Sequence, residues 1–470
     1  MAAHRNARFP IHLAKLVTQR LVANGGTAPK DAILLQLLET LYFASLKTDE
    51  ARPCRCTINY IDPSADNTNQ STRSHNNGWT VVPFRQPLPY GVRSLLKLAD
   101  AADPKVSSLA VFSDDKGELF IWGLVDQELR YGDYVSFDGT EDPERPGLFQ
   151  ATITGVGAVS VYKNFALLGS LEQNVLVEEY HDVLWEGPIY RRLRDNLDAT
   201  LLDKQASDNG VTALAHITQV KDELLVRWQN AICRMLFNIQ KYGHGGGLLI
   251  VPSYPVGDVN VKYEQTYDRL PRALFRLAQH QILKRQTADA IAAHCNTDAD
   301  TLPCEIHFDA VHSQNELDRL KNELLGCVHY IASLSRVDGF VLLDKSLVVH
   351  GFGVEARADA GLTDVYMAGD AKANTEFLRQ APLSQFGTRH RAMLRYCDEH
   401  EGALGFVISQ DGDIRATMKY RGRLVLWENI NVQLAYRVEN RGRLITDFSP
   451  STISGLFDYW TDSVTDAKSA

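Results

Sequence analysis

Gly387-Thr388-Arg389-His390-Arg391 places two arginines and a histidine at the start of a segment whose Ala392, Met393, Tyr396 and Cys397 recur at helical spacing. A helix beginning there turns free backbone N–H groups and the positive end of its dipole toward solvent, where an anion is favoured. Arginine adds a planar, permanently charged fork that matches phosphate oxygens two at a time. Upstream, Val337-Asp338-Gly339-Phe340-Val341-Leu342-Leu343-Asp344 sets an acidic residue and a glycine at the mouth of an apolar strand. That carboxylate can hold a divalent metal, Mg²⁺ or Mn²⁺, against a phosphate, and Gly339 lets backbone approach a ligand. A carboxylate for the metal and guanidinium groups for the phosphates form the minimum set for nucleotidyl transfer.

Each residue also has a plainer reading. Asp338 alone reads as a turn-capping aspartate, Arg389 and Arg391 as a solvated helix face, and Thr388 and Ser384 as capping hydroxyls, a role compatible with ligand contact. His390 follows Arg389 directly and so points to another side of the helix. His350 could approach a bound nucleotide. Gly243-His244-Gly245-Gly246-Gly247 lacks the lysine of a phosphate loop and precedes a strand, so it reads as a helix stop with close backbone packing.

Taken as a pair, Asp338-Gly339 and Gly387-Thr388-Arg389-His390-Arg391 resemble the signature motifs of the diadenylate cyclase (DisA-type, DAC) domain family. The strands Gly246–Val251 and Ala403–Ser409 and the Pro382-Leu383-Ser384 segment follow in that family's order. The resemblance covers roughly residues 235–435. It implies a mixed sheet flanked by helices, ATP as substrate and cyclic di-AMP as product. It also implies a divalent metal on Asp338, phosphate contacts from Arg389 and Arg391, and a face-to-face homo-oligomer that brings two nucleotides together. Gly339, Phe340, Ser384, Gly387, Thr388 and His390 complete the nucleotide-binding set that it implies. The chain departs from the pattern at Phe340, where the family has alanine. Two-residue periodicity puts that ring on the Asp338 face of the strand, to stack on adenine or to fill the space a second nucleotide needs. The substituted motif and the extra N-terminal region resemble the DACNV branch, described as probable sensor domains, so a non-catalytic nucleotide or cyclic-dinucleotide sensor is the alternative to a cyclase.

The elements around these motifs divide the 470 residues into an N-terminal α+β domain over 1–180, a helical linker over 181–215 and an α/β nucleotide-binding domain over 216–470. In the first, amphipathic helices over 11–24 and 33–46, the second capped by Thr27, precede short strands that include Leu109–Phe112, Leu119–Leu124, Tyr134–Phe137 and Phe149–Ile153. A polar loop is expected over 63–78. The net charge of −9 disfavours a nucleic-acid polymer as partner. No run is apolar enough for a membrane span or signal peptide, and seven cysteines without framework spacing fit a reduced, cytoplasmic setting. Cys54-Arg55-Cys56 is too close-spaced for a zinc knuckle, and His294, Cys295, Cys304 and His307 match no common zinc spacing.

Overall fold

The computed structural model describes residues 7–23, 28–49, 52–63, 79–102, 107–126, 147–163, 166–172, 174–207, 214–295, 304–358, 361–410, 412–430 and 432. The first helix, α1 (Pro10–Ala23), buries Leu13, Ala14, Val17 and Leu21, and α2 (Asp31–Ser45) buries Leu34, Leu37, Leu38 and Leu41. That three-and-four spacing gives each helix one apolar stripe to lay against a sheet. Strands β1 (Thr48–Asp49) and β2 (Arg52–Pro53) form a short ladder. Then come β3 (Thr57–Tyr60), β4 (Thr80–Pro89), α3 (Val92–Ala99), β5 (Ser107–Ser113), β6 (Leu119–Asp126), β7 (Gln150–Gly155), β8 (Ala158–Lys163), β9 (Ala166–Glu172) and β10 (Val175–Val177). The last eight strands pair in the order β10-β9-β8-β7-β3-β5-β6-β4, antiparallel except for β3 beside β5. Alternate residues Ile58, Leu109, Val111, Ile121, Ala151 and Val161 face the helices and close the first core. The expected strand Tyr134–Phe137, the Thr27 cap and nearly all of the 63–78 loop lie outside the described residues.

The segment read as a linker contains α4 (Gly187–Ser207), whose Ile189, Leu193, Leu197 and Leu201 are buried in the core of the second sheet. It is followed by α5 (Leu214–Tyr242), β11 (Gly246–Val251), β12 (Val259–Tyr267), α6 (Arg269–Cys295), α7 (Cys304–Leu334), β13 (Phe340–Asp344), β14 (Val349–Ala356), β15 (Asp364–Ala368), β16 (Leu378–Pro382), α8 (Thr388–Glu399), β17 (Leu404–Ile408), β18 (Ile414–Tyr420) and β19 (Arg423–Trp427). The nine strands run β12-β14-β13-β11-β17-β18-β19-β15-β16, with β11 parallel to β13 and β15 parallel to β19. This mixed sheet, with the antiparallel-rich α+β sheet before it, matches the expected fold class. Every residue of β11 is buried, as a central strand covered on both faces requires. Leu248, Ile250, Val341 and Phe406 face α4, α5, α6 and α7, whereas Leu249, Val251, Leu342 and Val407 face α8 through Met393, Leu394 and Cys397.

His181 joins the two sheets. Its backbone N–H donates to the Asn429 carbonyl at 2.8 Å, and it forms an isolated parallel bridge with Ile430. Burial pushes its imidazole below the ordinary value, against the opposing charges of Asp370 and Glu179. The unfolded chain therefore takes up this proton first as pH falls through about 6.5, and the stability contributed by neutral His181 is present above that pH and lost below it. Thermal melts at about pH 7.5 and 5.5 should show a smaller acid-induced drop in His181→Gln than in the wild type. Equal drops would remove His181 from the account.

Candidate functional site

The two motifs meet at one end of the second sheet. Helix α8 begins at Thr388, with Gly387 as its N-cap, no capping side chain and no acidic residue in its first turn. The first intrahelical bond runs from the Arg391 N–H to the Gly387 carbonyl, which leaves the N–H groups ahead of it directed outward. Nothing lies within 4 Å of where a Gly387 side chain would project, and Gly387 and Thr388 are exposed. Two arginines at the positive end of a helix oppose its dipole by about 0.3–1 kcal/mol each. Helix propensity does not account for that placement, whereas a bound anion would reverse its sign.

Asp338 and Gly339 form the turn that leads from α7 into β13. Gly339 has φ +116°, and a Cβ there would sit 2.5 Å from the Gly353 carbonyl carbon, so both backbone twist and packing demand glycine. The turn directs Asp338 to solvent, and its Oδ1 lies 3.4 Å from Arg389 Nη2. The Asp338 side chain is 96% exposed and that of Arg389 31%, so the pair forms an open notch. Gly245, at φ +67° just before β11, lies under the guanidinium: a Cβ there would come within 2.9 Å of Arg389 Nη1 and 3.0 Å of the Ile408 carbonyl oxygen. The glycine run, beyond stopping the helix and packing closely, thus also makes the floor on which Arg389 rests.

The remaining motif residues are placed as follows. Arg391 Nη2 lies 3.5 Å from Thr388 Oγ1, which holds both at the helix tip. Ser384 is exposed on the 3-10 turn Leu383–Gln385 just before the helix. His390 turns toward Phe386, with ring centroids 6.5 Å apart. Phe340 is 2% exposed and packs in the core under α8, and a Cβ on Gly247 would meet its Cδ1 at 2.8 Å. The ring therefore fills space and offers no face for stacking on a base. His350 bonds Asp344 Oδ2 at 2.9 Å and stacks on Tyr254 at 4.1 Å, at the far end of β13 from Asp338.

Lys262 on β12 carries no motif and was missed by sequence reasoning. Its pKa is raised first by the hydrogen bond to Glu355 and then by the charge of that residue, with a smaller contribution from Asp338. Lys262 is held by Glu355 at 2.7 Å, and the cation seated against Asp338 is Arg389. A small, partly open hollow of about 50 Å³ lies elsewhere, lined by Glu172, Tyr180, Asp413 and Asn429 among others.

Comparison with known families bears on the other half of the chain. Residues 24–126 match the family described as probable sensor domain DACNV. The DACNV match spans α2 to β6 and ends well before the Asp338 and Arg389 motifs, so it supports a DACNV-like sensor region without extending to a diadenylate cyclase assignment. No curated protein and no solved structure matches the chain. Among the described residues no helix is long and apolar enough to cross a membrane.

Proposed function

We propose that the chain is a nucleotide sensor in which the tip of α8 binds the phosphates of ATP or of a cyclic dinucleotide and the DACNV-like region passes on the state of that site. The observation that carries this reading is the 3.4 Å approach of Arg389 to Asp338, residues brought together from 51 positions apart at a helix tip that opens to solvent. An incoming phosphate competes with Asp338 for Arg389 and gains the outward N–H groups of the helix. A single exposed carboxylate beside Arg389 is a poor metal site alone. It fits Mg²⁺ or Mn²⁺ when phosphate oxygens and water complete the shell, so in this reading Asp338 takes a metal that arrives with its nucleotide.

Asp338→Asn separates these effects. Without metal, the variant should bind ATP at least as tightly as the wild type, because Arg389 is released from its carboxylate. With Mg²⁺, it should lose the gain that the metal gives the wild type. Calorimetric titrations in chelator and in Mg²⁺ check both signs, and a loss of affinity in chelator would count against the arrangement.

The second reading, a cyclase joining two ATP into cyclic di-AMP, is favoured by the exposure of Asp338, which leaves room for a second copy of the chain to face it. Accumulation of cyclic di-AMP from ATP with Mn²⁺ or Mg²⁺, abolished in Asp338→Ala, would establish the cyclase. Binding without product across both metals leaves the sensor.

A further inference from the structure

We propose that Asp258, Glu399 and His400 form a binding site for a divalent transition cation, with Zn²⁺ as the best match, at the opposite end of α8 from the arginines. Glu399 closes the helix, His400 is its C-cap, and Asp258 immediately precedes the edge strand β12. One ligand atom from each residue falls within 4.8 Å of the others. His400 Nε2 is 3.2 Å from Asp258 Oδ2, yet this buried nitrogen has no hydrogen-bond partner of acceptable geometry. Two ligands of a tetrahedral ion bound at about 2.0–2.1 Å stand about 3.3 Å apart, so the spacing suits a shared cation.

A second observation comes from Tyr396, one turn back on the same helix. Its side chain has no exposed surface and its hydroxyl has no hydrogen-bond partner. The ring stacks on His400 with centroids 4.2 Å apart. A buried hydroxyl is costly to leave unsatisfied, and water on a bound ion would satisfy it.

The surroundings also call for positive charge. Helix α8 ends without a basic residue in its last turn, so Glu399 adds a carboxylate to the negative end of the dipole. Lys419 is engaged by Asp398, through its carbonyl at 2.8 Å and its carboxylate at 3.4 Å. One imidazole with two carboxylates favours a borderline ion over Mg²⁺ or Ca²⁺. Such an ion would pin the end of α8 to β12 and so fix the aim of the arginine tip. The inference does not depend on the nucleotide reading.

The test is titration of the full, metal-free chain with Co²⁺, read by its visible ligand-field absorption and by competition with Zn²⁺, with no nucleotide present. One equivalent is expected, weakened about tenfold or more in both His400→Ala and Asp258→Asn, and unchanged in Asp338→Asn. Tyr396→Phe should weaken Co²⁺ binding while raising the melting temperature of the metal-free chain by roughly a few degrees, because a buried unsatisfied hydroxyl is removed. A wild type that takes up no Co²⁺, ligand variants that titrate like it, loss of the equivalent in Asp338→Asn, or a lowered melting point in Tyr396→Phe would each overturn the site.

Discussion

Replacing Arg389 with alanine is expected to weaken binding of ATP and of cyclic di-AMP by about 1.5–3 kcal/mol, or roughly 10- to 150-fold, the range for a charged hydrogen-bonding partner. The size follows from position. Arg389 alone of the basic motif is seated between Asp338 and the bare backbone of Gly245, half-buried, with its fork already held at the notch. A pre-placed side chain loses little freedom when the ligand arrives. Arg389→Lys should fall between wild type and alanine, because it keeps the charge and loses the planar fork. The alanine variant should melt close to the wild type, since its ion pair is with a nearly fully exposed carboxylate. Calorimetry alongside thermal melts separates the two effects. Wild-type affinity in Arg389→Ala would remove the helix tip from recognition.

The second large effect concerns Phe340→Ala, which introduces the alanine of the cyclase signature that this segment resembles. The ring is 2% exposed and packed beneath α8, so its removal should cost about 3–5 kcal/mol of stability. For a cooperative unit of about 150–250 residues, the scale of the second sheet with its helices, that corresponds to a fall in melting temperature of roughly 6–20 °C. Below the transition, nucleotide affinity should hold within about a factor of two or three, because no face of the ring reaches the notch. A ring that stacked on adenine would give the reverse pattern: little loss of stability and a clear loss of affinity. Melting curves and titrations on the same preparation distinguish these outcomes.

The contrast between Arg389 and Phe340 shows what could be read from the chain. The basic pentapeptide was legible because its residues work against their own helix: two arginines at the positive dipole end, no acidic residue in the first turn and a glycine N-cap leave a local misfit that a bound anion would relieve. The strand mouth at Asp338-Gly339 was legible because Val341, Leu342 and Leu343 run apolar directly after it. Alternation groups Phe340 with Leu342 on one face of β13, yet alternation carries no information about depth. Whether that side holds a ligand or a helix is decided by α8, which packs Met393 and Leu394 into the same cluster.

Other features depended on partners distant in sequence. The segment over 181–215 reads as a charged linker because Arg191, Arg192, Arg194 and Asp195 dominate it. Its Ile189, Leu193, Leu197 and Leu201 nevertheless recur every four residues, and that stripe is buried in the second core. Gly245, Gly246 and Gly247 pack closely, as the run suggests, and what packs on Gly245 includes Arg389, from an element far along the chain. Lys262 sits on an edge strand without any pattern to mark it, and Asp258 gains meaning only from the end of α8.

The central claim is that a nucleotide phosphate rests on the tip of α8, facing Asp338. It is tested most directly by a crystal structure of the full chain grown with ATP and Mg²⁺ or with cyclic di-AMP. The account predicts phosphate density within hydrogen-bonding distance of the Arg389 guanidinium and the N–H groups of the first turn of α8, with Asp338 drawn from Arg389 toward any metal. Nucleotide density away from the tip of α8, with Arg389 still paired to Asp338, would contradict it.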